Sequence, residues 1–255
     1  MMRTSAVRVG LVFPELLGTY GDRGNAVVLV ERCRRRGIEA DLIEVSAGSP
    51  IPVDLDIYLF GGGEDDAQVM AATGMRESGA AIASARSGGS VVFAVCAGFQ
   101  LLGTTYEAND GEILDGLGLV DLATRAGDGR CIGECVVVPD AATGLPTLTG
   151  FENHGGRTTL GPGIAPLGRV TTGFGNGIDG CDGVLADHLL GTYLHGPVLP
   201  RNPALADHLL GWIVGPDALT PLDDHLVDAL RAERLREAQL TGLAARRRDW
   251  HLNRG

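Results

Sequence analysis

Val91-Val92-Phe93-Ala94-Val95 is an unbroken apolar run that stops at Cys96 and gives way to the small residues Ala97 and Gly98. A short, wholly apolar run fits a strand buried on both faces, as in a parallel sheet. Phe99-Gln100-Leu101-Leu102 then opens a helical pattern. A strand turning sharply into a helix at a cysteine is the arrangement of a nucleophile elbow, which pushes one side chain out at the end of a sheet. It puts Cys96 at a helix N-terminus, where the backbone dipoles favour thiolate over thiol. Inert burial is the common fate of a cysteine, and only this setting singles Cys96 out.

The rest of the chain is consistent with one core around that strand. The 255 residues are 44% hydrophobic, enough for one sizeable domain spanning 1–255, with a helical C-terminal segment from about residue 203. No apolar stretch approaches a membrane span, and Met1 to Ala6 leads directly into a strand, so the chain is expected to be soluble and cytoplasmic, without a signal peptide. A net charge of −11 argues against nucleic acid as a partner. Cys33, Cys96, Cys131, Cys135 and Cys181 are scattered and odd in number, which argues against a disulfide framework. Cys131 and Cys135 lack a second ligand pair at metal-binding spacing, so no metal is expected. The runs Arg34-Arg35-Arg36 and Arg246-Arg247-Arg248 read as solvated helix ends.

Strand and helix alternate through the first half, the signature of an α/β fold with a mostly parallel central sheet and helices on both faces. Strands are predicted over 7–13, 40–45, 56–60 and 91–95. Helices are predicted over 25–36, closed by Gly37, and over 67–87 with a break near Gly74 and Gly79. Beyond Glu107 the pattern changes to short strands such as 117–122 and 133–138, an antiparallel extension; helices follow over 203–214 and 224–240. In open sheets of this kind ligands gather at the carboxyl ends of the strands, where both Cys96 and the run Gly61-Gly62-Gly63 fall.

A thiolate nucleophile needs a base, distant in sequence and near in the fold. His195 ends the β-prone run Gly191-Thr192-Tyr193-Leu194 and is followed by Gly196-Pro197, so it is placed at a strand end on the same rim; a histidine merely satisfied in a turn fits the spacing equally well. His188, His208, His225 and His251 lie in helical or loop contexts. Acyl transfer also needs donors for a developing oxyanion. Gly62, whose backbone permits close approach, and Ala97, next to the nucleophile, are the candidates, with a plain glycine turn as the alternative. A phosphate loop is excluded by the missing G-x-x-x-x-G-K-S/T pattern.

Three further stretches, Tyr20-Gly21-Asp22-Arg23-Gly24-Asn25, Phe151-Glu152-Asn153-His154-Gly155-Gly156-Arg157-Thr158 and Gly191 to Pro197, complete an ordered set. With the Cys96 elbow, this set resembles the class I (triad type) glutamine amidotransferases of the cobyric acid synthase-like branch, and more narrowly the glutaminase subunits of lipid II isoglutaminyl synthases. The resemblance implies that Cys96 attacks the side-chain amide of L-glutamine and that His195 serves as base and then acid. It also implies that Arg130 grips the substrate carboxylate, with His154 and Arg157 packing nearby and no cofactor. The ammonia is expected to reach a MurT-like Mur-ligase partner in a heterodimer, which amidates the D-glutamate of lipid II. Acidic residues near Asp22 are expected to face that partner.

Two positions depart from the family pattern. Ala94 stands where many relatives have Gly, and Pro197 stands where the acid that orients the histidine belongs. A histidine held in the wrong tautomer is a poor base, so the acid is expected from the partner subunit. Rival readings are a stand-alone cysteine hydrolase of γ-glutamyl compounds, which needs a complete triad in one chain; a scaffold that has lost its chemistry; and a cobyrinate-type amidotransferase, for whose synthetase domain this chain has no room.

Overall fold

The computed structural model describes residues 5–18, 21–75, 78–108, 111–177 and 179–252, and the side chains of these except 65, 66 and 239–252. Tyr20, the side chains of Arg246, Arg247 and Arg248, and that of His251 lie outside the described set.

Six strands form the central sheet: β1 (Val7–Val12), β2 (Ala40–Val45), β3 (Ile57–Phe60), β4 (Val91–Val95), β11 (Val184–Ala186) and β12 (Leu189–Thr192). Their order is β11-β12-β4-β3-β1-β2, and every pairing is parallel except β11 with β12. Each position of β3 and β4 is buried, as expected of strands covered on both faces. Helix α1 (Arg23–Arg34) packs on β1 and β2 with α5 (Val198–Arg201) and α6 (Pro203–Val214), while α2 (Asp65–Met75) and α4 (Ala97–Leu101) form a second group against β3, β4 and β12. Arg32 of α1 is nearly buried and pairs with Asp207 of α6 (2.7 Å) and with Asp224 (2.8 Å), which fastens the C-terminal helices to the sheet.

The expected break in the second helix falls between α2 and α3 (Gly79–Ser87), where a Cβ on Gly79 would stand 2.7 Å from the Leu117 carbonyl oxygen. Helix α6 has the expected bounds, starting on Pro203, whose fixed φ suits a first helical position, and stopping at Gly215 with φ 80°. Helix α7 (His225–Leu252) runs further than the sequence suggested.

The antiparallel extension takes two forms. One is β11, an edge strand on the central sheet; the other is a second sheet built from β5 (Thr105–Glu107), β6 (Ile113–Asp115), β7 (Leu122–Pro139), β8 (Leu148–Leu160), β9 (Gly168–Thr172) and β10 (Cys181–Asp182), antiparallel except where β5 pairs with β7. The strand expected over 117–122 is not formed. Leu117 and Leu119 instead donate to the carbonyls of Leu101 and Leu102, so this segment caps the end of α4 and β7 begins only at Leu122. The two sheets meet at the carboxyl rim of the parallel strands: Phe151 of β8 and His195 exchange both backbone hydrogen bonds, at 3.1 and 2.7 Å.

Candidate active site

Four chain segments converge where the parallel strands end. Asp22 follows β1 at the head of α1, Gly61 to Gly63 follow β3, Cys96 follows β4 and His195 follows β12. This is the rim where α/β sheets collect ligands, because loops from neighbouring strands meet there. Backbone bonds fix the four together. The Cys96 N–H donates to Thr192 at the end of β12 (2.9 Å), and the Gly98 N–H donates to the Gly61 carbonyl (3.0 Å).

Cys96 has φ 51° and ψ −107°, a conformation that a non-glycine residue adopts only under constraint and that costs about 1–3 kcal/mol. The elbow is held shut by its small neighbour. A Cβ on Gly98 would lie 2.6 Å from Phe60 Cβ and 2.8 Å from its carbonyl oxygen, so only glycine lets the turn press against β3. Ala94 fits its departure from the family pattern, being fully buried within β4. Helix α4 has only five residues, so its dipole is weaker than that of a long helix. Ala97 is its first residue, where an N–H has no partner inside the helix.

Gly62 packs against both Cys96 and the His195 imidazole. A Cβ built on it would stand 2.6 Å from His195 Cε1 and 3.4 Å from Cys96 Cβ, so Cys96 and His195 flank one glycine. His195 is 1% exposed, and burial, reinforced by His154, pushes its pKa down to about 3. The ring is therefore neutral near pH 7, the form that accepts a proton.

Gly62 itself does not present its N–H to Cys96. The Gly62 N–H donates to Asp22 Oδ2 at 2.6 Å, so the expectation of Gly62 as a ready oxyanion donor is not met in this arrangement. The reason is electrostatic: a buried carboxylate must be satisfied, and it outcompetes neutral acceptors for an available amide. Asp22 is fully buried, and burial raises its pKa to about 6 against the opposing hydrogen bonds from Gly62 and Asn25. At the head of α1 its side chain turns inward beneath the glycine run. The same Oδ2 lies 3.8 Å from His195 Nδ1, beyond hydrogen-bonding range but close enough for charge to be felt. Pro197 leaves no acid at the usual place after His195; the fold brings Asp22 to that edge of the ring.

A cleft opens beside Cys96, lined among others by Gln68, Gln100, Arg130, Asn153 and His154. Arg130 sits in the irregular stretch of β7 where its register with β8 shifts, and it is exposed. Its Nε and Nη2 donate to Asn153 Oδ1 (3.0 Å) and to the Asn153 carbonyl (3.2 Å), so the guanidinium is aimed before any ligand arrives. His154 stacks on Tyr193 with ring centroids 3.7 Å apart and hydrogen-bonds the Gly156 carbonyl (3.1 Å). Arg157 donates to the carbonyls of Gly155, Gly156 and Gly129, bracing the hairpin rather than reaching the cleft. Cys131 and Cys135 are buried thiols whose pKa burial raises. Among the described residues no three His, Cys, Asp or Glu side chains are grouped to hold a metal ion.

Two residues escaped the sequence reading. Gln100 lies one helical turn past Cys96 and accepts from Gln68 Nε2 (2.6 Å) while donating to Tyr193 Oη (3.1 Å); the i to i+4 spacing was the available signal. Asp22 was the other, and its place at the head of the helix that follows the first parallel strand was the clue.

Comparison with known proteins agrees with this geometry. Residues 8–203 match the CobB/CobQ-like glutamine amidotransferase domain. The chain is 38% identical over 196 residues to the Staphylococcus aureus lipid II isoglutaminyl synthase (glutamine-hydrolyzing) subunit GatD, spanning 76% of this chain and 79% of that protein. It is 34% identical to the corresponding Streptococcus pneumoniae subunit, with 80% and 79% covered. The cobyric acid synthase of Pelotomaculum thermopropionicum is 38% identical over 52% of this chain, but the match covers only 28% of that longer protein. A crystal structure of a glutamine amidotransferase shares the fold at TM-score 0.55 and 21% identity, over 81% of this chain and 98% of the other. The chain belongs to the CobB/CobQ-like glutamine amidotransferase family, in the branch that holds the GatD subunits of lipid II isoglutaminyl synthase.

Proposed function

We propose that this chain is the glutaminase subunit of a cytoplasmic heterodimer in peptidoglycan synthesis. It hydrolyses L-glutamine and passes the ammonia to a MurT-like Mur-ligase partner, which converts the D-glutamate of lipid II to D-isoglutamine. The observation that carries the reading is the placement of Cys96 and His195 on either side of Gly62 at the rim of the parallel sheet. Coverage of both GatD subunits at 79% of their length, against 28% of a cobyric acid synthase, favours the peptidoglycan reading over the cobyrinate one.

In this mechanism Arg130 pairs with the glutamine α-carboxylate through its planar fork. His195 takes the Cys96 proton, and the thiolate attacks the side-chain carbonyl. The tetrahedral intermediate collapses as His195 returns the proton to nitrogen, releasing ammonia and leaving a thioester. Water, activated by the same imidazole, then frees glutamate. No helix among the described residues is long and apolar enough to cross a membrane; in this reading the lipid-linked substrate is acted on by the partner.

The test is reconstitution with a Mur-ligase-like partner, measuring amidation of lipid II with glutamine or with ammonia as nitrogen source. Cys96→Ala is expected to abolish the glutamine-dependent reaction and spare the ammonia-dependent one. Glutamine-dependent amidation that survives Cys96→Ala overturns the assignment.

A further inference from the structure

Asp22 Oδ2 faces two donors that both matter to the chemistry: the Gly62 N–H at 2.6 Å and the His195 ring nitrogen Nδ1 at 3.8 Å. The other carboxylate oxygen is tethered by Asn25 Nδ2 (3.3 Å), and Asn25 Oδ1 in turn accepts from the Leu199 N–H (2.9 Å) just beyond the His195 loop. The carboxylate is therefore suspended between the glycine run and the imidazole by a side chain that spans both regions. Gly62 is wedged into the same space, since a Cβ there would lie 3.3 Å from Asp22 Oδ2 and 2.6 Å from His195 Cε1.

Resting on the glutaminase reading above, we propose that Asp22 is the positioning residue for His195, and that its bond to the Gly62 N–H is exchanged for one to Nδ1–H during turnover. Proton transfer from Cys96 makes the imidazole cationic and raises its pull on the buried carboxylate. A shift of about 1 Å brings Oδ2 within hydrogen-bonding distance of Nδ1. As Oδ2 leaves, the Gly62 amide loses its acceptor just as an oxyanion develops on the substrate beside it. The glycine run lets this peptide reorient, because glycine without a Cβ tolerates a wide range of φ and ψ. One carboxylate thus holds the donor in reserve at rest and orients the base when charge appears; the proton passes from Cys96 to His195 and on to the leaving nitrogen, and Asp22 takes none. The raised pKa of Asp22, about 6, agrees with a carboxylate whose charge is poorly compensated until the imidazolium forms.

The experiment compares wild type with Asp22→Asn and Asp22→Glu in the full chain, alone and in complex with its ligase partner. Asparagine still accepts from the Gly62 N–H but cannot stabilise an imidazolium. Asp22→Asn is expected to lower kcat for glutamine hydrolysis about 10³- to 10⁴-fold, by analogy with loss of the orienting acid in a triad, with KM for glutamine within about threefold and the melting temperature retained. Asp22→Glu should recover at least a tenth of the activity. The rate of Cys96 alkylation by iodoacetamide at pH 6.5 should fall in parallel, a readout that does not depend on glutamine being the substrate. An unchanged kcat and alkylation rate in Asp22→Asn overturns the proposal, as does full recovery of Asp22→Asn in the complex, which would assign the acid to the partner. Slow alkylation in Asp22→Asn, in a chain that proves not to hydrolyse glutamine, sinks the glutaminase reading while sustaining the role of Asp22.

Discussion

The Asp22 carboxylate and the Gly62 amide are 2.6 Å apart although forty positions separate them in the chain. That contact exists because β1 and β3 are neighbours in the sheet, so the segments leaving their carboxyl ends meet. It brings a charged group to a place where the sequence suggested only a flexible donor, and it makes the glycine run part of the machinery by its lack of side chains.

Gly98→Ala should damage both stability and activity. The new methyl would lie 2.6 Å from Phe60 Cβ and 2.8 Å and 2.9 Å from two backbone oxygens that cannot move without shifting β3. A loss of about 1–3 kcal/mol is expected, together with a kcat drop larger than the folding loss explains, because the elbow carrying Cys96 must open. Urea denaturation alongside glutamine hydrolysis checks this; wild-type kcat would show that the elbow tolerates a wider turn.

Arg130→Ala should act on substrate capture. Its guanidinium is exposed and held by Asn153 alone among the hydrogen bonds described. Loss of a charged hydrogen-bonding partner is worth about 1.5–3 kcal/mol, so KM for glutamine should rise about 10- to 100-fold while the melting temperature stays put. Lysine should rescue only part, because it lacks the planar fork. A collapse of kcat at unchanged KM would contradict the assignment.

Asp182 gives a pH-dependent stability signal. It is fully buried, accepts from Thr192 Oγ1 (2.5 Å) and the Tyr193 N–H (3.1 Å), and burial raises its pKa from 3.8 to about 7. Between those values the native state holds a proton that the unfolded chain has lost. Stability from this group is therefore full below about pH 4 and is lost as pH rises to about 7, on the order of 4 kcal/mol in all. His195, with its lowered pKa, works in the opposite sense, costing stability as pH falls below about 6.5, but it is present in both proteins and cancels in a comparison. Asp182→Asn should be the less stable protein at pH 4.5, and the gap should narrow by several kcal/mol at pH 8.5. Denaturant midpoints at the two pH values that move together would show that Asp182 does not titrate in this range.

Arg32→Ala should be among the most destabilising changes distant from the cleft. Arg32 is 6% exposed and bonds both Asp207 and Asp224, while Arg36 shares Asp207 (2.7 Å). Removing one partner of a buried network typically costs about 3–5 kcal/mol, because charges are left uncompensated. Chemical denaturation should register this with little change in kcat for the folded fraction, and Arg32→Met should be milder than Arg32→Ala only if Asp207 is changed to Asn as well.

By itself the sequence determined what is local. The apolar run of β4, the small residues behind Cys96, Pro203 opening α6 and the alternation of strand and helix are written in periodicity and turn chemistry, which act over a few residues. Cys96 and His195 were legible as candidates for the same reason, each standing at the end of a recognisable segment, whereas Arg130 was singled out only by the family resemblance. The tertiary structure alone decided that Asp22 lies beside Gly62 and His195, that the later strands build their own sheet, and that residues 117–121 cap α4 instead of forming a strand. Those outcomes depend on the order of strands in space and on which backbone groups find partners after burial. A chain read one residue after another does not contain the distance between the ends of β1, β3 and β12; hydrogen bonding across the sheet sets it.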